Sequence, residues 1–193
     1  MAAMKRKKHN RFKYILVLAL LLAATVLVLD NASRVMFPVK YREYVEIYSE
    51  KYNVDPYLVL AIIKVESKFD ADAVSPKNAR GLMQISLKTG QWGAEVLKLD
   101  GYDGNSLYDP ETNISIGCWY LNVLAGEFDG NIDLMLAAYN GGSGNVREWL
   151  KNKEYSSTGK SLDRVPFKET GNYVKKVINY RSVYKKLYEN MFS

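Results

Sequence analysis

The chain has 193 residues, 48% of them hydrophobic and 25% charged, with 13 Gly and 5 Pro, which suits one modest globular domain and is too apolar for wholesale disorder. Its formal charge of +6 is concentrated in Lys5, Arg6, Lys7, Lys8, Arg11 and Lys13, which precede the first acid and account for all of it, so no nucleic-acid partner gripped by the whole domain is expected. One cysteine, Cys118, excludes an intramolecular disulfide framework and a cysteine zinc cage, and one histidine, His9 in the basic head, removes Ser-His-Asp, Cys-His and histidine–metal chemistry from the rest.

Residues 1–13 form that basic head. Tyr14 to Leu29 then reads YILVLALLLAATVLVL, without a charge. At about 1.5 Å per residue it spans roughly 24 Å, short of the ~30 Å hydrocarbon core, and Phe12 with a snorkelling Lys13 can extend it. Residues 14–29 are therefore expected to be a single-pass membrane anchor with a cytoplasmic N-terminus and everything after Leu29 outside the cytoplasm. A cleavable signal peptide is the alternative, but Asp30-Asn31-Ala32 puts an acid where small uncharged residues are wanted. A buried core helix is disfavoured by the neighbouring cations. No lipoprotein-type cysteine follows the segment.

Residues 30–40 contain Pro38 and read as a stalk; the domain is expected over 41–193. Apolar spacing there is helical in Tyr44–Tyr48, Leu58–Ile63, Ile114–Leu124, Leu134–Ala138 and Tyr173–Tyr188, with no long β alternation. Asp55-Pro56 and Asp109-Pro110 each place an acidic N-cap before proline at the first helical position. Gly141-Gly142-Ser143-Gly144 breaks a helix, and Asn152–Arg164 is expected to be the longest loop. Cys118 falls on an apolar stripe and reads as a buried thiol, and Trp92, Trp119 and Trp149 read as core, with sugar platforms as the alternative.

Glu66 is the anomaly. It continues the rows Leu58, Ile62 and Val59, Ile63, so its carboxyl lies on the face that seeks the core unless the helix end turns it back to solvent. A carboxyl moved into apolar surroundings resists ionisation, and an acid still protonated near neutral pH can donate a proton, as in glycoside cleavage. Such cleavage ordinarily uses two carboxyl groups about 5–5.5 Å or 6.5–9.5 Å apart. Asp70 and Asp72 are the nearby candidates, in a loop where acids are mostly solvated.

The stretches Glu66-Ser67, Ser75-Pro76, Gly81-Leu82-Met83-Gln84-Ile85, Ala137-Ala138-Tyr139-Asn140-Gly141-Gly142 and Glu169-Thr170 with Tyr173-Val174 occur in an order that resembles the soluble-lytic-transglycosylase branch of the lysozyme-like superfamily. Asn113-Ile114, Gly117 and Tyr120-Leu121 add a weaker match. The resemblance covers roughly Tyr41 to Tyr188. It implies an all-α, lysozyme-like domain with a glycan-binding groove, cutting the glycan of peptidoglycan without a metal or organic cofactor.

On that resemblance Glu66 matches the catalytic acid and Ser75 a hydroxyl bonded near it. Gln84 and Ser86 fall at groove positions, Tyr139 and Asn140 face the reacting sugar, and Glu169 lies near the acetamido group, with Tyr173 grouped among the substrate-binding residues. Two departures stand out: Gly171 replaces the usual arginine after Glu169-Thr170, and Ser86 the usual methionine. The resemblance further implies that Glu66 serves as acid and then base, yielding a 1,6-anhydromuramoyl end. A muramidase using Asp70 or Asp72, or a non-catalytic wall-binding scaffold of a secretion or conjugation machine, are the alternatives.

Overall fold

The computed structural model describes residues 2–192, with the side chains of residues 2–12, 14 and 15 outside that description. His9 and all of the basic head except Lys13 fall among the latter. Residues 1–38 and 39–193 are two separate compact units. The first is one helix, α1 (Ala2–Met36), whose described apolar side chains from Leu16 to Leu29 are exposed. It continues through the start of the expected stalk because Asp30 and Arg34 pair one turn apart at 2.8 Å and Asn31 donates to the Leu27 carbonyl. Pro38, which has no N–H to donate, follows its end.

The second unit is all-helical, as expected. Its elements are α2 (Arg42–Lys51), α3 (Pro56–Glu66), α4 (Leu87–Leu97), a 3-10 turn (Gly104–Tyr108), α5 (Pro110–Glu127), α6 (Ile132–Gly141), α7 (Ser143–Lys151) and α8 (Lys168–Leu187). Among the described residues the only extended pairing outside named strands is the bridges Val74–Arg80 and Arg80–Ile85. Both Asp-Pro starts form. The Asp55 carboxylate accepts the Tyr57 N–H at 2.9 Å and that of Asp109 accepts the Thr112 N–H at 2.8 Å, each satisfying a donor that the helix leaves orphaned.

α3 is the centre of the unit. Every residue from Tyr57 to Ile63 is buried, so the helix needs cover all round, and α2 and α8 provide it. Each fully buried Leu or Ile contributes about 1.5–3 kcal/mol. Asp55 also pairs with Arg181, tying the start of α3 to α8. α5 is the second buried helix, and α4 and α6 pack against it. Cys118 is fully buried on α5, and burial pushes its thiol up to about 12, so it is a packing residue.

Two expectations need correction. The longest connection is not Asn152–Arg164 but the chain between α3 and α4, residues 67–86. It is held by internal hydrogen bonds and the two bridges rather than by helix, which periodicity cannot reveal. Trp119 and Trp149 are in the core at 7% exposure, but Trp92 is 45% exposed. Gly90 and Gly93 on the inner side of α4 bring its backbone so close to its neighbours that no volume remains for a second indole; a Cβ at Gly93 would lie 2.8 Å from Ile116 and 3.1 Å from Trp119.

Candidate active site

α3 ends at Glu66, and the chain leaves the helix abruptly. Lys68 and Phe69 take left-handed conformations, φ 55° and 68°, which bulky residues seldom adopt. They are held because Phe69 is buried and its N–H is bonded by the Ser67 hydroxyl at 3.1 Å. The turn leaves the Glu66 side chain at the end of the central helix, mostly buried. Loss of hydration pushes its carboxyl from the usual 4.5 up to about 7, while the Tyr173 hydroxyl pulls the other way. That hydroxyl is buried and faces Glu66 without completing a well-formed hydrogen bond. Tyr139 interacts with the same charge. Burial first, and then the Glu66 carboxylate, hold both phenols well above 10 and therefore neutral.

Tyr139 is fixed across elements. From α6 its hydroxyl donates to the Met83 carbonyl at 2.8 Å, and the Met83 N–H donates to Asn113 Oδ1 on α5, also at 2.8 Å. Asn113 is fully buried, and its Nδ2 donates to the carbonyls of Arg80 at 2.9 Å and Leu107 at 2.7 Å. One amide thus holds the turn that carries Gly81 to Gln84. Gly81 is required there twice over, since φ is +73° and a Cβ would sit 2.1 Å from the Leu107 oxygen.

Beside Tyr139 opens a hollow of about 290 Å³, bordered by Gln84, Ser86, Thr89, Tyr120, Tyr139 and Asn140. Asn140 and Gly141 also border a second hollow of about 230 Å³, lined as well by Lys77 and Glu169; the two hollows meet at these shared residues and together are called the groove. Glu66 borders neither hollow; its link to them is its electrostatic interaction with Tyr139, which borders the first. Asn140 is oriented by Thr170, whose hydroxyl donates to Asn140 Oδ1 at 2.8 Å and leaves the amide N–H groups for the groove.

The predicted site residues thus separate. Gln84, Ser86, Tyr139, Asn140 and Glu169 share the groove, and Tyr173 is buried behind it against Glu66. Two of the groove residues also do structural work: Gln84 Nε2 donates to the Ala73 and Gly81 carbonyls at 3.0 Å each, and the Ser86 hydroxyl caps α4 by accepting the Thr89 N–H at 3.1 Å. Ser75 is engaged elsewhere, its hydroxyl accepting the Ala79 N–H at 3.0 Å within the loop. Asp70 and Asp72 are exposed, and Asp70 accepts the Asp72 N–H at 3.0 Å. Glu66 owes its upward shift to burial, against the opposing pull of Tyr173, and neither aspartate contributes to it.

Sequence reasoning missed the positioning roles of Asn113 and Thr170. A polar amide entering the apolar run of α5 was the available signal for Asn113; nothing local marks Thr170. Among the described residues no three His, Cys, Asp or Glu side chains come together to hold a metal ion.

Residues 43–161 match the family described as Transglycosylase SLT domain. The chain is 35% identical over 151 residues to the soluble lytic murein transglycosylase of Escherichia coli K12, covering 77% of this chain and 23% of that protein. It is 33% identical over 172 residues to the membrane-bound lytic murein transglycosylase C of Actinobacillus pleuropneumoniae serotype 5b, covering 76% and 47% respectively. The crystal structure of the 70 kDa soluble lytic transglycosylase of Escherichia coli superposes with a TM-score of 0.70 at 34% identity, over 78% of this chain and 25% of that one. An inactive glutamate-to-glutamine mutant of the lytic transglycosylase Slt from Pseudomonas aeruginosa gives 0.69 at 30% identity, over 78% and 24%. This chain spans about a quarter of the soluble relatives' length.

Proposed function

Because the chain belongs to the Transglycosylase SLT domain family, we propose that residues 41–193 are the catalytic domain of a peptidoglycan lytic transglycosylase in which Glu66 is first acid and then base. One observation carries the reading: a carboxyl that interacts with two neutral phenols, one of which borders the groove, has its pKa pushed up to about 7. At working pH such a group is populated in both protonation states, which a residue that gives and then reclaims a proton requires.

In the first step Glu66 donates its proton to the glycosidic oxygen as the bond from muramic C1 breaks, and the muramic acetamido oxygen assists at C1. In the second, the Glu66 carboxylate removes the proton of the C6 hydroxyl while O6 bonds to C1 and displaces the acetamido oxygen, which regains its C=O. No water is consumed, and the products are a 1,6-anhydromuramoyl end and a free glucosamine hydroxyl. The two steps balance on one carboxyl. The solvated positions of Asp70 and Asp72 favour this over hydrolysis, which needs a second carboxylate near the same bond. Ser75 and Glu169 are assigned to the loop and the distal part of the groove, and Tyr173 to tuning Glu66.

Mass spectrometry of digested peptidoglycan is the test. Anhydro products, one water lighter than reducing ends, are expected from the wild type and equally from Asp70→Asn and Asp72→Asn, with rates within about threefold. Reducing ends that vanish in either aspartate variant would establish a muramidase instead. A protein that binds walls and never clears them would be a scaffold.

We further assign α1 as a membrane anchor with a cytoplasmic N-terminus. Supporting this are its apolar stretch Leu16–Met36 of mean hydropathy 2.1 and the basic head before it. The full chain is expected in the membrane fraction after an alkaline wash; its recovery in the supernatant would refute the anchor.

A further inference from the structure

The aromatic wall of the groove continues past the residues that border the hollow. Tyr120 lies against Tyr139 with ring centroids 5.7 Å apart; Trp92 follows, 6.4 Å from Tyr120 and 4.7 Å from Trp119, at 76° to both rings. Thr89, which borders the hollow, precedes Trp92 by three residues on α4, so the two side chains project from one helix face. Trp92 is thus held by two ring contacts beside the groove while 45% of it stays exposed.

This arrangement is maintained against helix propensity. Two glycines inside α4 each cost about 1 kcal/mol relative to alanine; Gly90 admits the close approach of Tyr102 and Leu107, and Gly93 that of α5, which seats Trp119 underneath and leaves Trp92 outside. A large flat side chain already ordered by its neighbours loses little conformational freedom on meeting a ligand. Its apolar face with a polar Nε1 suits a partner that is itself apolar on one face and hydroxylated at its rim.

We propose that Trp92 is an additional sugar platform: its exposed indole stacks on the C–H face of a pyranose further along the strand from the reacting bond, extending the groove beyond Tyr139 and Tyr120 along α4. The inference rests on the glycan reading above and deepens it. Trp92 belongs to binding and touches no reacting atom, so its loss weakens strand affinity and raises KM for long glycan more than it lowers kcat.

The experiment uses full-length Glu66→Gln protein, so that binding is measured without cleavage, and β-1,4-linked N-acetylglucosamine oligomers from dimer to hexamer as probes in calorimetric titrations. Affinity is expected to step up at the length that reaches the indole. Adding Trp92→Ala removes that step and weakens hexamer binding about tenfold, whereas Trp92→Tyr, which keeps a ring, stays within about threefold. Ile47→Ser, replacing an equally exposed apolar residue on α2, leaves the series unchanged. If the Trp92→Ala protein binds every length as its parent does, the platform is refuted while the glycan reading stands. If Glu66→Gln binds no oligomer at all, the glycan reading fails and the platform with it.

Discussion

Replacing Glu66 with glutamine is expected to lower glycan cleavage by a thousandfold or more and to make the domain harder to unfold above pH 7. The first effect follows from removing the carboxyl proposed above to give and take the proton; general acid–base catalysis alone is worth about 10²–10⁴-fold, and in that proposal both steps use the same carboxyl. The second follows from linkage. The folded carboxyl keeps its proton up to about pH 7, whereas in the unfolded chain it loses it near 4.5. Between those values the native state binds the extra proton, so Glu66 progressively destabilises the fold as pH rises through that window, and the full cost remains above it. At 1.36 kcal/mol per pH unit this is about 3 kcal/mol, an order-of-magnitude figure.

Glutamine keeps the shape and has no charge to desolvate. Thermal melts of wild type and Glu66→Gln should therefore diverge at pH 8, with the variant higher, and converge below pH 4.5. The wild-type kcat/KM should fall as pH rises through about 7, because the free enzyme must begin protonated. Equal melting differences at both pH values would mean that the carboxyl is hydrated. Cleavage within tenfold of wild type would remove Glu66 from the chemistry.

For Asn113→Ala the expected loss is about 3–5 kcal/mol of folding stability. The side chain is fully buried and makes three hydrogen bonds to backbone groups of the 80–83 turn and of Leu107. Alanine leaves one N–H and two carbonyls without these partners, at about 1–3 kcal/mol for each buried group left unpaired, and these costs do not add fully. The damage reaches the site, because the turn presents Gln84 to the groove and Met83 receives the Tyr139 hydroxyl. Denaturant titration should show a lower midpoint with an unchanged slope, and cleavage should fall in the remaining folded protein. A loss below about 1 kcal/mol would show that water replaces the amide and that the turn stands without it.

The contrast between Glu66 and Asn113 marks how far the chain was legible. The place of Glu66 on an apolar row follows from counting along one helix, and so do the Asp55 and Asp109 caps, because all three depend on neighbours within a turn. Asn113 meets residues thirty positions away, Thr170 orients Asn140 across an equal separation, and Tyr139 reaches Met83 over a longer one. No periodicity encodes such pairs. Trp92 was misread for a related reason: helical spacing identifies a face, while Gly93, which leaves no room for a second indole, acts through the helix packed opposite.

Sequence alone therefore determined what short-range physics controls: the helical class, the capped starts of the two buried helices, the absence of thiol and histidine chemistry from the domain, and the one carboxyl on an apolar face. Tertiary structure decided which side chains that carboxyl meets. The two tyrosines that interact with Glu66 come from α6 and α8, the groove joins residues from the 67–86 connection, α4, α5, α6 and α8, and Ser75 is turned to its own loop. The physical reason is that a carboxyl's proton affinity is set by the water removed around it, and that water is displaced by elements far apart in the chain, whose approach is fixed only when the core closes.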